Sequence, residues 1–378
     1  MVRAQQATSA RDERGDDWRW QAQHTIRTLP ALEHALTLTA AEREGTQRAL
    51  SEGLPLAITP YYLSLIDRDD PSCPIRLQCV PRAEEASTVD GDLRDPLGEE
   101  AHEVAPSLIR RYPDRALLLI TDRCGVYCRF CTRSRMVGDG GGAKSLDALR
   151  PALDYLRAHP EVREVIVSGG DPGLMSTPRL RAILSALGEL PQLDTLRFAT
   201  RTPVTLPQRI TDDLCRALRE SHPSVWVMTH FNHPKELTPT SLRACARLVD
   251  AGLPVMNQSV LLRGVNDDED TLEALFRGLI RARVRPYYLL QMDPVRGTSH
   301  LRTPLSRGVA LMAKLEGRVS GIALPKLVVD TPGGAGKIPL GRDPVVSAAP
   351  GRTTLRTFRG EEVTCVDPPL DEGLPGPT

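Results

Sequence analysis

Short apolar runs rich in β-branched residues alternate with segments of helical period between about residue 116 and residue 330. The runs predict seven β-strands, at residues 116–120, 164–168, 195–199, 225–230, 255–261, 285–291 and 324–330. After the first of them, Leu146, Leu149, Leu153 and Leu156 fall on one face of a predicted helix over residues 144–158. Strict alternation of strand and helix indicates right-handed βαβ units, and therefore an α/β fold whose parallel sheet closes partly or fully into a barrel.

The regions on either side of this repeat have a different pattern. Residues 1–105 show helical periodicity around 18–36 and a stretch interrupted by proline and aspartate at 67–96, which predicts an N-terminal helical extension packed on the barrel. Residues 106–340 are assigned to the barrel itself. Residues 341–378 are predicted to form a short C-terminal segment with one strand near 354–358 and a disordered Pro/Gly-rich tail.

The charge balance and the hydropathy exclude several classes of partner. The 48 basic residues are matched by 48 acidic ones, so the net charge attracts neither nucleic acid nor an anionic membrane surface. The N-terminal region lacks the apolar run of a signal peptide, and no later stretch reaches the ~18 apolar residues of a membrane span. We therefore expect a soluble, cytoplasmic protein that binds no nucleic acid and no membrane.

Three of the eight cysteines, Cys124, Cys128 and Cys131, form a C-x3-C-x2-C motif directly after the first predicted strand. Three thiolates on one short loop can bind three irons of a 4Fe-4S cluster and leave the fourth iron open to a substrate or cofactor. The alternatives are a zinc site that lacks its fourth ligand, or buried cysteines that only pack. Structural zinc usually has two paired halves, and no second half is near, so the spacing favours the cluster.

Lysine is rare in this chain, because five of the 48 basic residues are lysines and the other 43 are arginines. One of the five, Lys337, ends a Gly-rich turn after the last predicted strand. A phosphate-binding P-loop is excluded, since Thr331 and Ile338 stand where that motif needs glycine and a hydroxyl. A solvated turn lysine is the remaining alternative. Lysine can lose its proton and form a Schiff base where arginine cannot, which points to pyridoxal 5′-phosphate (PLP) as its partner.

The cysteine motif resembles the cluster motif of the radical S-adenosylmethionine (SAM) superfamily. In that superfamily SAM chelates the open iron, and an electron from the cluster cleaves SAM to a 5′-deoxyadenosyl radical. The segment Ser168-Gly169-Gly170-Asp171, directly after the second predicted strand, resembles the Gly-Gly-acid segment that contacts the SAM amino group. The resemblance implies a partial (β/α)6-type radical SAM barrel, with its chemistry at the C-terminal ends of the strands.

Together, the radical SAM cysteines and a lysine after Pro-Gly-Gly-x-Gly resemble the lysine 2,3-aminomutase family. Collinear matches run through most of the chain, at residues 17–21, 57–60, 70–75, 111–115, 200–203, 229–234 and 257–267. The resemblance implies that Lys337 is the catalytic residue and holds PLP covalently. It also implies binding of the PLP phosphate by Arg111, Tyr112 and Arg115, and binding of SAM by Ser168, Gly169, Gly170, Asp171, His230 and Gln258.

The same resemblance assigns the substrate. Arg133 matches the position that pairs with the substrate α-carboxylate, and Asp293 and Asp330 match the two acids that meet the ε-ammonium in lysine-specific members. Two acids in one pocket repel each other unless a cation joins them, so a substrate with a positive tail is expected. Alternatively, Arg133 and either aspartate could belong to internal ion pairs. The implied reaction moves the α-amino group of L-lysine to the β-carbon, giving β-lysine.

Departures from the family pattern leave other functions open. Phe130 replaces an expected histidine, and the segment 290–296 beside the substrate tail is altered. Asp268 and a lone C-terminal Cys365 leave the zinc site of lysine-specific relatives incomplete. The alternatives are a mutase for arginine or another amino acid, an enzyme that supplies β-lysine for translation factor modification, and a binding module with a structural metal. The resemblance further implies a homo-oligomer and an electron donor such as flavodoxin or ferredoxin.

Overall fold

The computed structural model describes residues 13–138 and 142–368. Its α-helices are α1 (Glu13–Asp16), α2 (Trp18–Gln23), α3 (Leu29–Ala35), α4 (Ala40–Ser51), α5 (Pro60–Leu63), α6 (Pro74–Leu77), α7 (Arg150–Ala158), α8 (Thr177–Gly188), α9 (Thr202–Thr205), α10 (Asp212–Ser221), α11 (Pro239–Asp250), α12 (Glu269–Arg281) and α13 (Leu305–Leu315). Its strands are β1 (Glu103–Ala105), β2 (Leu108–Ile109), β3 (Arg115–Leu119), β4 (Glu164–Ser168), β5 (Thr195–Ala199), β6 (Val225–Thr229), β7 (Val255–Leu261), β8 (Arg285–Gln291), β9 (Lys326–Asp330), β10 (Lys337–Pro339), β11 (Val345–Ala349), β12 (Arg352–Arg356) and β13 (Glu362–Val366).

Ten strands form one sheet in which neighbours follow chain order from β1 to β10. The pairs from β3 to β9 are all parallel, whereas β1, β2 and β10 add antiparallel strands at the two edges. Six strand–helix units therefore precede β9. Among the described residues β1 and β10 each have one neighbour, so the sheet is an open, partial barrel. The predicted α/β barrel class is confirmed, and all seven predicted strands agree with β3–β9 to within two residues.

The parallel strands form because each buries apolar side chains on its helix-facing side. In β4, the buried Val165 and Val167 alternate with the half-buried Glu164 and Ile166. The helices between strands bury one apolar face, as in α10, where Leu214 and Leu218 are fully buried. Helix α12 begins at the N-cap Asp268, whose carboxylate accepts a hydrogen bond from the Thr271 amide at 2.8 Å. The Asp268 side chain therefore serves as the N-cap of α12.

The predicted helix over 144–158 begins later than expected. A 3-10 turn at Asp147–Leu149 precedes α7, which starts at Arg150. Leu149, Leu153 and Leu156 are buried, as their spacing predicts, but Leu146 is 39% exposed. The Ala148 amide donates to the Ser145 hydroxyl at 3.2 Å, a contact at the start of the 3-10 turn. Because a 3-10 turn has about 3 residues per turn instead of 3.6, Leu146 leaves the buried face.

The regions outside the barrel also differ in detail from the sequence predictions. The periodic stretch 18–36 forms two helices, α2 and α3, separated by an antiparallel bridge between Ile26 and Ile58. The C-terminal segment has three strands, β11–β13, where the sequence predicted one. The predicted disordered tail falls largely on residues 369–378, which lie outside the described residues. Within the described part of the chain, no helix has the length and apolar character to cross a membrane.

Candidate active site

The interior of the barrel contains a cavity of about 740 Å³, which is a typical volume for a small-molecule site. Its walls come from strands β3 to β8, from the segment before β3, from Arg133 after the cysteine motif and from Lys337 at the start of β10. They bring together seven of the predicted site residues: Arg111, Tyr112, Arg115, Arg133, Ser168, Gln258 and Lys337. The described wall residues do not include the predicted site residues Gly169, Gly170, Asp171, His230, Asp293 and Asp330.

The cysteine loop follows β3 and is fastened to the N-terminal segment through its backbone. The Tyr127 amide donates to the Ala57 carbonyl at 2.9 Å, and the Arg129 amide donates to the Gln78 carbonyl at 2.9 Å. The Arg129 guanidinium, itself buried, forms an ion pair with Glu85. The residues between the cysteines are therefore fixed by contacts outside the barrel.

The three thiols fit an iron–sulfur cluster in chemistry and surroundings. Cys124 and Cys131 pack against the apolar side chains of Tyr127 and Val137, and Cys128 packs against a second apolar group that includes Phe130. Burial and the nearby Cys128 raise the pKa of Cys131 to about 11. Three thiolates crowded in an apolar pocket need a cationic centre, which a cluster provides. In the described ranges, no three or more His, Cys, Asp or Glu side chains are placed so that they could bind one metal ion together. A cluster instead takes one thiolate per iron.

Two glycines after β4 let this segment pass against the start of the cysteine loop. Gly169 has φ +137°, and a Cβ atom there would lie 2.2 Å from the Thr121 carbonyl oxygen. A Cβ atom on Gly170 would lie 2.5 Å from the Arg123 carbonyl oxygen. The Gly170 and Asp171 amides donate to those same two carbonyls at 2.6 and 2.7 Å. The close approach therefore excludes any side chain at both positions.

The Asp171 carboxylate is buried and fully engaged inside the protein. It accepts hydrogen bonds from the Gly173 amide at 3.0 Å, the Thr200 hydroxyl at 2.5 Å and the Arg201 amide at 3.0 Å. Burial is the largest influence on its pKa, which it raises. In this structure Asp171 ties β4 to the loop after β5, and it does not reach the cavity wall.

Arg201 is a buried contact to the cluster loop that sequence reasoning did not single out. Its Nη1 donates to Cys128 Sγ at 2.7 Å, while Nη2 donates to Gln78 at 2.6 Å and to Glu236 at 2.9 Å. The Tyr62 hydroxyl also contacts Glu236, at 2.8 Å. The segment containing Arg201 matches the family, but only the tertiary structure shows that its side chain reaches a cysteine 73 residues away.

His230 lies beside the cluster loop and is held in one tautomer. Its Nε2 donates to the Asn232 side-chain oxygen at 3.0 Å, which leaves Nδ1 as an acceptor. Burial and the nearby Arg201 charge lower its pKa to about 3, so the imidazole is neutral at physiological pH. The Phe130 ring, which stands where a histidine was expected, meets His230 edge-on with the ring centres 5.6 Å apart.

The lysine loop is shaped by glycines in the left-handed region of backbone space. Gly333, Gly334 and Gly336 have φ of 76°, 85° and 114°, which residues with side chains rarely adopt. The loop returns the chain into β10, so that Lys337 pairs with Asp330 across the antiparallel β9–β10 ladder. The Lys337 amide donates to the Tyr112 hydroxyl at 3.1 Å, and its ammonium group forms an ion pair with Asp330.

Two cations and an aromatic ring lie next to Lys337, and they come from Arg111, Tyr112 and Arg115 at or just before the start of β3. The Arg115 guanidinium lies 3.9 Å from the centre of the Tyr112 ring, in the cation–π range. Arg111 donates to the Leu97 carbonyl at 2.9 Å and to Asp330 at 3.2 Å. An amine, two guanidinium groups and a phenol around one cavity are the chemistry that an aldehyde cofactor with a phosphate group requires. These residues therefore fit PLP.

The two predicted substrate carboxylates lie close enough to influence each other. Burial and the Asp330 charge raise the pKa of Asp293 to about 7, and opposing effects come from Lys337 and Arg111. Asp330 is buried, and both of its oxygens are paired, one with Arg111 and one with Lys337. The alternative interpretation of Asp330, an internal ion pair with an arginine, thus describes its contacts in this structure.

Arg133 also has an internal partner, which sequence reasoning missed. Its Nε donates to both Glu99 carboxylate oxygens at 2.9 and 3.1 Å, and its Nη2 donates to one of them at 2.7 Å. Glu99 is 3% exposed and forms part of the cavity wall together with Arg133. The two residues are 34 positions apart, and no sequence pattern links them.

The far end of the cavity lies at the beginnings of the strands and was not predicted. Arg197 on β5 forms an ion pair with Glu164 on β4, and Trp226 lies nearby on β6. On β8 the Tyr287 hydroxyl donates to the Tyr288 hydroxyl at 3.0 Å. Glu164, Arg197 and Trp226 face the interior because their neighbours along each strand are buried against the helices, a period-two signal that identifies cavity walls without identifying their chemistry. Tyr287 and Tyr288 are consecutive on β8, where the alternation is interrupted.

Comparison with known proteins adds the family context. Residues 118–275 match the radical SAM superfamily, and residues 312–371 match the family described as lysine-2,3-aminomutase. The L-lysine 2,3-aminomutase of Fusobacterium nucleatum is 46% identical over 357 residues, which covers 94% of this chain and 84% of that protein. The L-lysine 2,3-aminomutase of Clostridium subterminale is also 46% identical, over 93% of this chain and 84% of that protein. The glutamate 2,3-aminomutase of Clostridioides difficile is 41% identical over 94% of this chain and 84% of that protein.

Proposed function

This chain belongs to the lysine 2,3-aminomutase family of radical SAM isomerases, and from that premise we propose that it converts L-lysine to β-lysine. The reaction moves the α-amino group to the β-carbon and leaves the atomic composition unchanged. The choice of lysine over other amino acids is carried by one observation: the proximity of Asp293 to Asp330 beside Lys337.

The two carboxylates favour a substrate with a cationic tail. The raised pKa of Asp293, about 7, reflects burial and repulsion from Asp330. A further positive charge beside this pair, in addition to Arg111 and Lys337, would relieve the repulsion and restore the ionised form of Asp293. The ε-ammonium of lysine supplies that charge. A substrate with an acidic side chain, such as glutamate, would add a third negative charge to the same place.

The cofactor assignment follows from the residues around the cavity. When bound, the cluster with SAM would supply radical hydrogen-abstraction chemistry, and PLP would supply a group able to carry the migrating nitrogen. Cys124, Cys128 and Cys131 would hold the cluster. Because the neutral His230 can accept a hydrogen bond through Nδ1, we assign it to SAM together with Ser168, Gly169, Gly170, Asp171 and Gln258.

Residues near Lys337 would prepare its amine for bonding to PLP. Lys337 must lose a proton before its nitrogen can attack an aldehyde, and the ion-paired Asp330 carboxylate is within reach to accept it. Arg111, Tyr112 and Arg115 are assigned to the phosphate, where the guanidinium groups balance its negative charge. Arg133 is assigned to the substrate α-carboxylate. The proposal also includes a one-electron donor such as flavodoxin or ferredoxin.

A substrate panel tests the proposal. Protein purified without oxygen, with reconstituted cluster, SAM, PLP and reductant, should isomerise L-lysine faster than L-arginine or L-glutamate. The Asp293→Asn variant should raise the KM for L-lysine about tenfold, as expected when one charged contact is lost. Preferential turnover of arginine or glutamate, or an unchanged KM in the variant, would contradict the assignment of lysine.

A further inference from the structure

Residues 95–102 run along the cavity between the cysteine loop and the lysine loop. Within this stretch, Glu99 binds the side-on edge of the Arg133 guanidinium, formed by Nε and Nη2, at 2.7 to 3.1 Å. Arg133 lies two residues after the last cysteine of the cluster motif. Glu99 thereby fixes the orientation of a side chain at the edge of the cluster loop.

The pairing leaves the other edge of the guanidinium available. Within residues 13–138 and 142–368, Nη1 of Arg133 has no hydrogen-bond partner, and Arg133 forms part of the cavity wall. Arginine has two edges that can each bind a carboxylate with two nitrogens, side-on and end-on. Glu99 occupies the first, so a second carboxylate can bind through Nη1 without displacing Glu99.

Glu99 has a further cationic neighbour, Arg135, which it shares with two other acids. Arg135 lies 3.5 Å from Glu99 Oε2 and also pairs with Asp95 at 3.0 Å and with Glu100 at 2.9 Å. The Glu99 carboxylate is therefore held between two arginines. It can keep its bond to Arg133 when a second anion approaches the same guanidinium, because Arg135 compensates part of its charge.

The residues just before Glu99 contact the lysine loop. The Gly333 amide donates to the Pro96 carbonyl at 3.2 Å, and Arg111 Nη1 donates to the Leu97 carbonyl at 2.9 Å. A Cβ atom on Gly98, which has φ +62°, would lie 2.7 Å from the Gly333 carbonyl oxygen. One short segment thus contacts both the lysine loop and the arginine beside the cluster loop.

We propose that Glu99 is a positioning residue that holds Arg133 for the α-carboxylate of the amino-acid substrate. This inference rests on the proposed function, because it requires an amino acid in the cavity. The α-carboxylate and the α-amino group are attached to the same carbon, so the groups that bind them must stay at a fixed separation. The segment 96–99 sets that separation by contacting the lysine loop at one end and Arg133 at the other.

The test compares ligands with and without the carboxylate charge. Equilibrium binding of L-lysine and of L-lysinamide is measured on PLP-loaded protein without reductant, so that no turnover occurs. The variant is Glu99→Gln, which keeps the side-chain shape and removes the charge. The control is Glu100→Gln, because Glu100 is the next residue, pairs with Arg135 and is largely exposed. Iron and PLP contents are measured for each protein.

The expected result is selective for the carboxylate. The Glu99→Gln variant should weaken L-lysine binding about tenfold or more, the loss typical of a mispositioned charged hydrogen bond, with L-lysinamide binding unchanged. In the reduced enzyme its KM for L-lysine should rise while kcat stays within about twofold of the original. The Glu100→Gln variant should match the original protein in every measurement.

Three results would overturn the inference. Equal L-lysine affinity in Glu99→Gln and the original protein would show that Glu99 does not position Arg133. Parallel weakening of L-lysine and L-lysinamide would show a general change of cavity shape. Equal affinities of the original protein for L-lysine and L-lysinamide would show that Arg133 does not bind the α-carboxylate. Binding of L-lysine with the expected selectivity, but without isomerisation, would support the role of Glu99 and contradict the proposed function alone.

Discussion

Lys337 lies directly opposite Asp330 in the antiparallel ladder of β9 and β10, and its ammonium group forms an ion pair with the Asp330 carboxylate. The register of two short strands therefore determines the contact between the amine and the acid. Arg111 binds the second oxygen of the same carboxylate at 3.2 Å. The acid thus connects the group assigned to PLP attachment with a cation assigned to the PLP phosphate.

Replacement of Lys337 by alanine should abolish isomerisation, with a loss of about a thousandfold or more, because Lys337 is the one lysine among the described residues that line the cavity. Borohydride treatment of the PLP-loaded protein should attach PLP to the original chain and leave the variant unlabelled, as read by mass spectrometry. Lys326→Ala, at the exposed start of β9, is the matched control and should keep both activity and labelling. Labelling of the Lys337→Ala protein would contradict the assignment.

Asp293 should make the stability of the cofactor-free protein depend on pH. Its pKa in the folded protein is about 7, above the value near 4 of an unfolded chain. The folded state therefore holds a proton that the unfolded chain has lost, and stability falls as the pH rises from about 4 to about 7. Asp293→Asn removes this loss and should raise the Tm by about 1–3 °C at pH 8, with little change near pH 4.

The exposed Asp343, on the surface after β10, provides the control for the pH effect. Asp343→Asn should change the Tm equally at both pH values or not at all. Thermal unfolding followed by circular dichroism measures all three proteins. A stabilisation by Asp293→Asn that is the same at pH 4 and pH 8 would show that the raised pKa of Asp293 is not its cause.

Arg201 should tune the reduction potential of the cluster. A donor to a thiolate ligand stabilises the more negative, reduced cluster, and Arg201 Nη1 is 2.7 Å from Cys128 Sγ. Arg201→Lys keeps a positive charge beside Glu236 but removes the second guanidinium nitrogen, which donates to Cys128. The potential, measured by redox titration with EPR detection, should become more negative by on the order of tens of millivolts. Arg209→Lys should leave the potential unchanged, because Arg209 is also buried and its hydrogen bonds are to residues other than the cluster cysteines.

Gly169→Ala should destabilise the protein by about 2–4 kcal/mol, since it combines a positive φ with an overlap against backbone. The added Cβ would lie 2.2 Å from the Thr121 carbonyl oxygen, just before the cysteine loop, so cluster incorporation should fall as well. Gly321→Ala is the control because a Cβ atom there meets nothing within 4 Å. Urea denaturation and iron content give the two readouts. Equal stability of both variants would show that the backbone at Gly169 can shift enough to accommodate a side chain.

The barrel could be predicted from the sequence because its signals are local. A strand such as β4 or β5 is a short apolar run between helices, and its bounds agree with the prediction residue for residue. The cysteine spacing and the glycine-flanked Lys337 are likewise contiguous. The strands β11 and β13 were missed because all their residues are exposed, so no buried face produces an alternating pattern.

Contacts between distant residues could not be predicted in the same way. The pairing of Arg133 with Glu99 and of Arg201 with Cys128 joins residues 34 and 73 positions apart. A chain with 43 arginines offers many alternative partners for each acid, and tertiary packing selects among them. Leu146 shows the same limit at short range, because the 3-10 turn before α7 departs from the period of an α-helix.

The proposed move of the α-amino group to the β-carbon is tested most directly by following the nitrogen atom. L-lysine labelled with ¹⁵N at the α-amino group is incubated without oxygen with the reconstituted protein, SAM, PLP and reductant, and the product is examined by ¹⁵N NMR and mass spectrometry. We expect β-lysine that carries the label on its β-carbon and has the same mass as the labelled substrate. Recovery of lysine with the label still on the α-carbon, under conditions in which SAM is cleaved, would contradict the proposed aminomutase activity.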